Sequence, residues 1–315
     1  MPAHDDTEFH LSEGETGVMH VLVMASQKGG SGKTTLSGHL AVEAEAAGVG
    51  PVSVIDTDPQ ASLSQWWNAR EAEAPLFAKV GMMELGDALA HLRQAGIKLA
   101  VIDTPPAITE SIAQVVAHAD LVVVPTRPSP HDLRAVGATV DIAERHRKPL
   151  VFVLNAATPN ARITGEAAIA LSQHGTVAPV TLHHRVDFAA SMVDGRTVGE
   201  VVPRSPSARE IHDLWLYIQD RLARLKHDPD FAAAEARQFA LSPLSPLSGE
   251  QIEEDESAES AEPANADSSI LPMPDRRLGR DRRVLASNFN GPERRGLAFG
   301  RRASDRTTPF GKAGG

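Results

Sequence analysis

The 315-residue chain contains no cysteine. That removes disulfide scaffolding, thiolate metal centres and cysteine nucleophiles, and it fits a reducing compartment. Aromatic residues are scarce at 4% of the chain, with Tyr217 the single tyrosine. No stretch reaches the roughly eighteen uninterrupted apolar residues of a membrane span. The opening segment, MPAHDDTEFHLSEGETG, is acidic and polar and lacks the basic start and apolar centre of a signal peptide. A cytoplasmic location is therefore expected.

What is present is unevenly distributed. The net charge of −10 divides into −5 over residues 1–17, −2 over 18–226, −11 over 227–275 and +8 over 276–315. An acidic total does not argue against polyanion partners, because local patches decide that. Between 18 and 226, short β-branched runs alternate with amphipathic stretches. The runs are HVLVMA (20–25), VSVID (52–56), LAVID (99–103), LVVVP (121–125) and LVFVLN (150–155), with VAPVTL (177–182) as a weaker sixth. Helical patterns occupy about 33–47, 60–72, 84–95, 110–117, 131–146, 161–174 and 207–225. This alternation predicts an α/β fold with a doubly wound, mostly parallel sheet flanked by helices, with ligands beyond the carboxyl ends of the strands. Residues 1–17 read as a disordered acidic tail, 227–275 as a disordered acidic Ser/Pro-rich linker, and 276–315 as a disordered Arg-rich tail.

The segment HVLVMA-SQKGGSGKTT-LSGHLAVEAEAAG runs strand, glycine-rich turn, helix, which is the context of a phosphate-binding loop. Glycines 29, 30 and 32 let backbone N–H groups converge at a helix N-terminus. Lys33 is placed to bridge β- and γ-phosphate oxygens, and the Thr34 hydroxyl to ligate Mg²⁺. Gln27 stands where the strict pattern wants glycine, so the loop is a deviant one. Asp103, ending LAVID, takes the strand-end position of an acid in the Mg²⁺ shell, and Asp56 and Asp58 lie at the end of another strand. Any one of these alone could be a helix cap. Trp66 and Trp67 follow on a helix, one expected in the core and the other on a dimer or partner surface.

The motifs KGGSGKTT (28–35), DTDPQ (56–60) and DTPP (103–106) resemble those of the deviant Walker-A ATPases of the ParA family of plasmid and chromosome partition, over residues 20 to about 225. The resemblance implies a P-loop fold and an ATP-dependent sandwich homodimer hydrolysing ATP slowly with Mg²⁺. It assigns the nucleotide to Lys28, Gly29, Gly30, Ser31, Gly32, Lys33, Thr34 and Thr35, with Asn155 near adenine. It assigns catalysis to Lys28, Lys33 and Asp58, and the metal shell to Thr34, Asp56 and Asp103. Lys28 would reach across to the partner's nucleotide, and Asp58 would orient the attacking water.

The sequence separates this chain from several cousins. Iron–sulfur relatives need cysteine, and tyrosine-kinase relatives need a terminal tyrosine cluster. A MinD-like membrane-surface role would call for a terminal amphipathic helix, whereas the Arg-rich end has no sustained apolar face. With some twenty-five residues before the loop, an N-terminal helix-turn-helix is not expected. Members without it bind DNA non-specifically as ATP dimers, and His184, Arg185 and Arg196 lie in the matching region. The expected partners are a second copy of the chain, non-specific DNA and a ParB-like or other adaptor that stimulates hydrolysis, with no membrane. The expected location is the nucleoid. Membrane-surface positioning and small-molecule ligase or kinase activity stay open as alternatives.

Overall fold

The computed structural model describes residues 18–106 and 110–238. The expected tails at 1–17 and 276–315, and the linker beyond 238, lie outside the described residues.

Seven strands form one sheet: β1 (His20–Met24), β2 (Val52–Asp56), β3 (Leu76–Ala78), β4 (Leu99–Asp103), β5 (Leu121–Thr126), β6 (Leu150–Leu154) and β7 (Thr176–Val177). Their order is β3-β2-β4-β1-β5-β6-β7, and every pairing is parallel. The helices are α1 (Lys33–Ala46), α2 (Ser62–Ala69), α3 (Leu85–Gln94), α4 (Glu110–Ala117), α5 (Pro130–Arg145), α6 (Arg162–Ser172), α7 (Val186–Ser191), α8 (Val198–Val201), α9 (Pro206–His227) and α10 (Pro229–Gln238).

The period-two alternation of each strand divides the interior into two cores. Leu22, Met24, Val101 and Val123 pack with Leu36, Leu40, Leu214 and Trp215 of α1 and α9. Val21, Val23, Ile102 and Val122 pack with residues of α3 to α6. Covered on both faces, the strands need apolar residues throughout, which is why they read as continuous runs. Two helix starts carry explicit signals. Ser129 accepts from the Asp132 amide at 3.2 Å and Ser205 from the Ala208 amide at 3.1 Å, each followed by proline at the first helical position.

Three sequence expectations are corrected, and one strand is added. The strand expected over 177–182 is confined to Thr176–Val177, because Pro179 cannot donate to a ladder; the chain still touches β6 through Ala178 N to Phe152 O and Leu182 N to Leu154 O. β3 escaped notice because three residues, LFA, carry no readable period. Trp66 and Trp67 are both buried, and their indole N–H groups donate to Arg196 O at 3.1 Å and Pro75 O at 2.9 Å, so neither forms a surface. The linker expected from 227 begins with α10, folded back on α9. There the Arg221 guanidinium pairs with the buried Glu235 carboxylate, and Arg224 stacks over Phe231 at 3.9 Å.

His39 on α1 is 1% exposed. Its Nδ1–H donates to Thr35 O at 2.8 Å, and Nε2 accepts from the Val198 amide at 3.2 Å, tying the loop helix to α8. The second bond requires the neutral ring, because a protonated Nε2 cannot accept. Burial pushes its pKa down to about 4 from 6.5. The folded value is depressed, so the unfolded chain takes up this proton first and stability falls as pH drops from 6.5 towards 4. Denaturant titrations are expected to show His39 contributing a loss of about 2 kcal/mol between pH 7.5 and pH 5, absent in His39→Gln. Parallel pH profiles for the two proteins would count against this.

Candidate nucleotide site

Five strands end on one side of the sheet and deliver the polar residues there. After β1 the loop Ser26–Gly32 turns into α1. Gly32 is left-handed with φ 102°, and a Cβ on it would lie 2.1 Å from Asn155 Nδ2, so glycine is required at this position. α1 has no side-chain cap, which leaves its first amides available to an anion. A cavity of about 510 Å³ opens over this N-terminus, lined by Gly29, Gly30, Gly32, Lys33, Thr34, Thr35, Asp58, Arg127 and Asn155, with His183, His184 and Arg185 on the far wall. That volume suits a nucleotide-sized ligand.

Lys33 is 6% exposed, and its Nζ donates to Ser26 O at 3.1 Å and Lys28 O at 3.4 Å. Burial lowers its pKa, opposed by the Asp103 and Asp58 carboxylates. The Lys28 side chain is exposed at the mouth and forms no ion pair among the described residues. The Thr34 hydroxyl donates to Asp103 Oδ2 at 2.6 Å. Asp103 is 1% exposed; burial pushes its carboxyl up to about 7, with repulsion from Asp56 and Asp58 adding, against the Thr34 hydrogen bond and Lys33.

Two buried atoms here have no protein partner, Asp103 Oδ1 and Ser31 Oγ. A carboxylate oxygen orphaned beside a threonine hydroxyl fits a Mg²⁺ ion. Among the described residues no group of three or more His, Cys, Asp or Glu could cage a metal. That suits Mg²⁺, which keeps waters and takes phosphate oxygens as ligands. Thr34 and Asp103 would hold the ion or its waters, and when bound it would neutralise charge on the terminal phosphates.

Asp56 and Asp103 are cross-strand partners at adjacent strand ends. In this structure both Asp56 oxygens brace the following turn: Oδ2 accepts from Ser64 N at 2.8 Å and Ser64 Oγ at 2.9 Å, and Oδ1 from Asp58 N at 3.1 Å. Asp58 Oδ1 in turn accepts from Gln60 N at 2.9 Å, which leaves this carboxylate on the cavity wall. Asn155 donates to Ser31 O at 2.7 Å and accepts from Ala156 N at 2.9 Å, so its side chain steadies the loop.

Of the three basic residues singled out in the sequence, His184 and Arg185 line the cavity together and Arg196 stands apart. Arg185 is locked on Glu210 by bonds of 2.6 and 2.8 Å, and His183 adds two more to the same carboxylate. Burial pushes Glu210 up, but these bonds outweigh it and hold its pKa low. Arg196 is exposed and paired with Asp194 at 2.6 Å, away from the cavity wall. His184 is exposed on the wall.

Two further residues were missed. The Arg127 guanidinium, following β5, donates to the Gly30 carbonyl. Its signal was available, because LVVVPTR places it at the same strand edge as the acids. Glu210, a plain helical glutamate in sequence, showed none.

The chain matches the family described as CobQ/CobB/MinD/ParA nucleotide binding domain over residues 22–198. It belongs to that family. Among its relatives, the "Maintenance of carboxysome distribution protein A" of Halothiobacillus neapolitanus is 30% identical over 200 residues, covering 60% of this chain and 91% of the relative. The protein of the same name from Gloeobacter kilaueensis is 33% identical over 192 residues, covering 60% of this chain and 71% of the relative. Among solved structures, MinD from Aquifex aeolicus aligns with a TM-score of 0.55 at 15% identity, covering 64% of this chain and 97% of that one, a likeness of fold. The all-parallel sheet and the phosphate loop are thus those of a ParA/MinD-type nucleotide-binding protein. No helix among the described residues is long and apolar enough to cross a membrane.

Proposed function

We propose that this chain is an ATP-driven positioning ATPase: a monomer that closes into a sandwich dimer around Mg²⁺–ATP, holds non-specific DNA in that state and is released by slow, adaptor-stimulated hydrolysis. The observation that carries this reading is the contrasting burial of two lysines of one loop. Lys33 is buried in the cavity lining, where it would meet a phosphate without a second subunit, while the Lys28 side chain is exposed beside the loop. A cation there gains most when a second ATP-loaded face arrives, which makes ATP a dimerisation signal. The names of the relatives, which speak of carboxysome distribution, favour a carboxysome-like assembly as cargo ahead of a plasmid or chromosome. DNA is favoured over a lipid surface because the apolar face of α9, including Ile211, Leu214, Trp215 and Ile218, is spent on the core.

Lys28→Ala tests this reading. ATP affinity of the monomer should stay within about threefold of wild type, because removing one exposed charge from a solvated site costs little. ATP-dependent dimerisation, followed by sedimentation or light scattering, should weaken by roughly tenfold or more, as for loss of a charge-assisted contact. A variant that dimerises on ATP as wild type does would remove the basis of the proposal.

A further inference from the structure

The end of the sheet opposite the nucleotide loop is built from the strand N-termini, about 16 Å away along five-residue strands. Its side chains are basic. α5 ends at Arg145, and the turn His146–Arg147–Lys148 leads into β6. Lys98 precedes β4 and accepts from the His20 amide through its carbonyl at 2.9 Å, while Lys226 and His227 end α9. A cavity of about 330 Å³ gathers His20, Arg147, Lys148 and Lys226 around Asp120. Burial depresses the His20 pKa, Asp120 opposes it, and Lys226 and His227 add to the depression, so these cations share one field.

Two nearby acids accept backbone hydrogen bonds, and Asp141 and Glu144 stand beside each other on α5. Asp120 Oδ2 accepts from Val21 N at 2.8 Å, and Asp228 Oδ1 from Phe231 N at 2.9 Å. Among the described residues no ion pair engages Arg145, Arg147, Lys148 or Lys226, whereas Arg185 and Arg196 near the other end are both neutralised. Arg147 also occupies a left-handed position, φ 52°, where glycine or asparagine is the usual residue. Its backbone is held there by Arg147 N to Glu144 O at 2.9 Å and Lys148 N to Ala143 O at 2.8 Å. A cation kept at some backbone cost points to a use for its charge.

We infer that this strand-N-terminal patch, centred on Arg145, Arg147, Lys148 and Lys226, is the surface that takes the phosphate backbone of double-stranded DNA. Spaced cations without an aromatic anchor suit a repeating phosphate lattice read without regard to sequence. The inference rests on the DNA-binding reading above and specifies its surface. A dimer closing over the strand C-termini would leave both patches facing outward. ATP would then raise DNA affinity by doubling the patches per particle.

The test uses the full chain with Mg²⁺–ATP, a fluorescent duplex of arbitrary sequence and a salt series. The variant Arg145→Gln/Arg147→Asn/Lys148→Gln removes two exposed charges and one half-buried one, and asparagine suits the left-handed site. It should dimerise on ATP as wild type does. Its DNA affinity should fall by roughly tenfold or more, and its slope of log K against log salt should lessen by about 2 to 3. His184→Gln/Arg196→Gln should change that slope by less than about 1. Wild-type affinity and slope in the triple variant would overturn the assignment, as would the whole loss falling on the His184/Arg196 pair. An increase in DNA binding by the triple variant would also overturn it, and would mark the patch as a seat for the chain's own acidic segment. A wild-type chain that holds no DNA under ATP would instead sink the DNA-binding reading itself.

Discussion

Lys33→Ala is expected to give a folded protein that no longer holds ATP. The ammonium is already drawn into the loop by Ser26 O and Lys28 O before any ligand is present, so no reorganisation is needed when phosphate arrives. Burial works against the charge, but Asp103 and Asp58 oppose that effect, and a second source of negative charge, the triphosphate, would favour the ammonium further. Removing it takes away the cation that faces the terminal phosphates and leaves two loop carbonyls without a donor. By comparison with the loss of a preorganised charge-stabilising donor, Mg²⁺–ATP affinity should fall by about a hundredfold or more, ~2.7 kcal/mol. The carbonyls can turn to water at the open mouth, so stability should fall by only about 1 kcal/mol. Calorimetric titration with Mg²⁺–ATP, beside a thermal melt, separates the two effects. Binding within tenfold of wild type would mean that backbone amides and Mg²⁺ hold the nucleotide without this lysine.

The parts of this site that could be read in sequence are those in which chemistry and position lie within a few residues of each other. In KGGSGKTT the strand, the turn, the cation and the hydroxyl are consecutive, and in LAVID the acid closes its own strand. Asp56 and Asp103 could be placed on one edge of the sheet from sequence, because each ends an apolar run, but that they are cross-strand partners came from the structure. The unread parts are pairings across long stretches of chain. Arg70 binds Glu200 at 2.7 and 2.9 Å and Gly195 O at 2.9 Å, clamping α2, and with it the Asp56–Asp58 turn, to α8. Nothing near either residue announces the other. The same holds for His39 with Val198, and for Glu210, whose pairing neutralises an arginine that sequence position alone made attractive for DNA. α10 was obscured for a different reason: FAAAEA is rich in small residues and sits against a Ser/Pro/Glu-rich stretch, and only its contacts with Arg221 and Arg224 give it a packing partner.

Asp58→Ala is expected to separate binding from turnover. Asp58 stands on the cavity wall at the end of the turn after β2, positioned by Asp56 below and by the Gln60 amide beside it. It is half-buried and lines the same cavity as Asn155, His183 and His184. A carboxylate there disfavours the triphosphate in the ground state by like-charge repulsion, so its presence makes sense if it acts on something other than ATP itself. Orienting and polarising a water is the role that fits. Removing it should therefore leave ATP affinity equal or somewhat higher, while phosphate release under saturating Mg²⁺–ATP falls by about a hundredfold, the lower end of the range for a positioned general base. With hydrolysis blocked and the lysines intact, ATP should hold the protein as a stable dimer that does not decay over hours. Single-turnover phosphate release and light scattering on the same sample read both quantities. Wild-type hydrolysis would show that the water is positioned from elsewhere. A variant that stays monomeric under saturating ATP would show that Asp58 helps to build the dimer face, and the clamp running from its turn through α2 to Glu200 would then be the route by which that face is set.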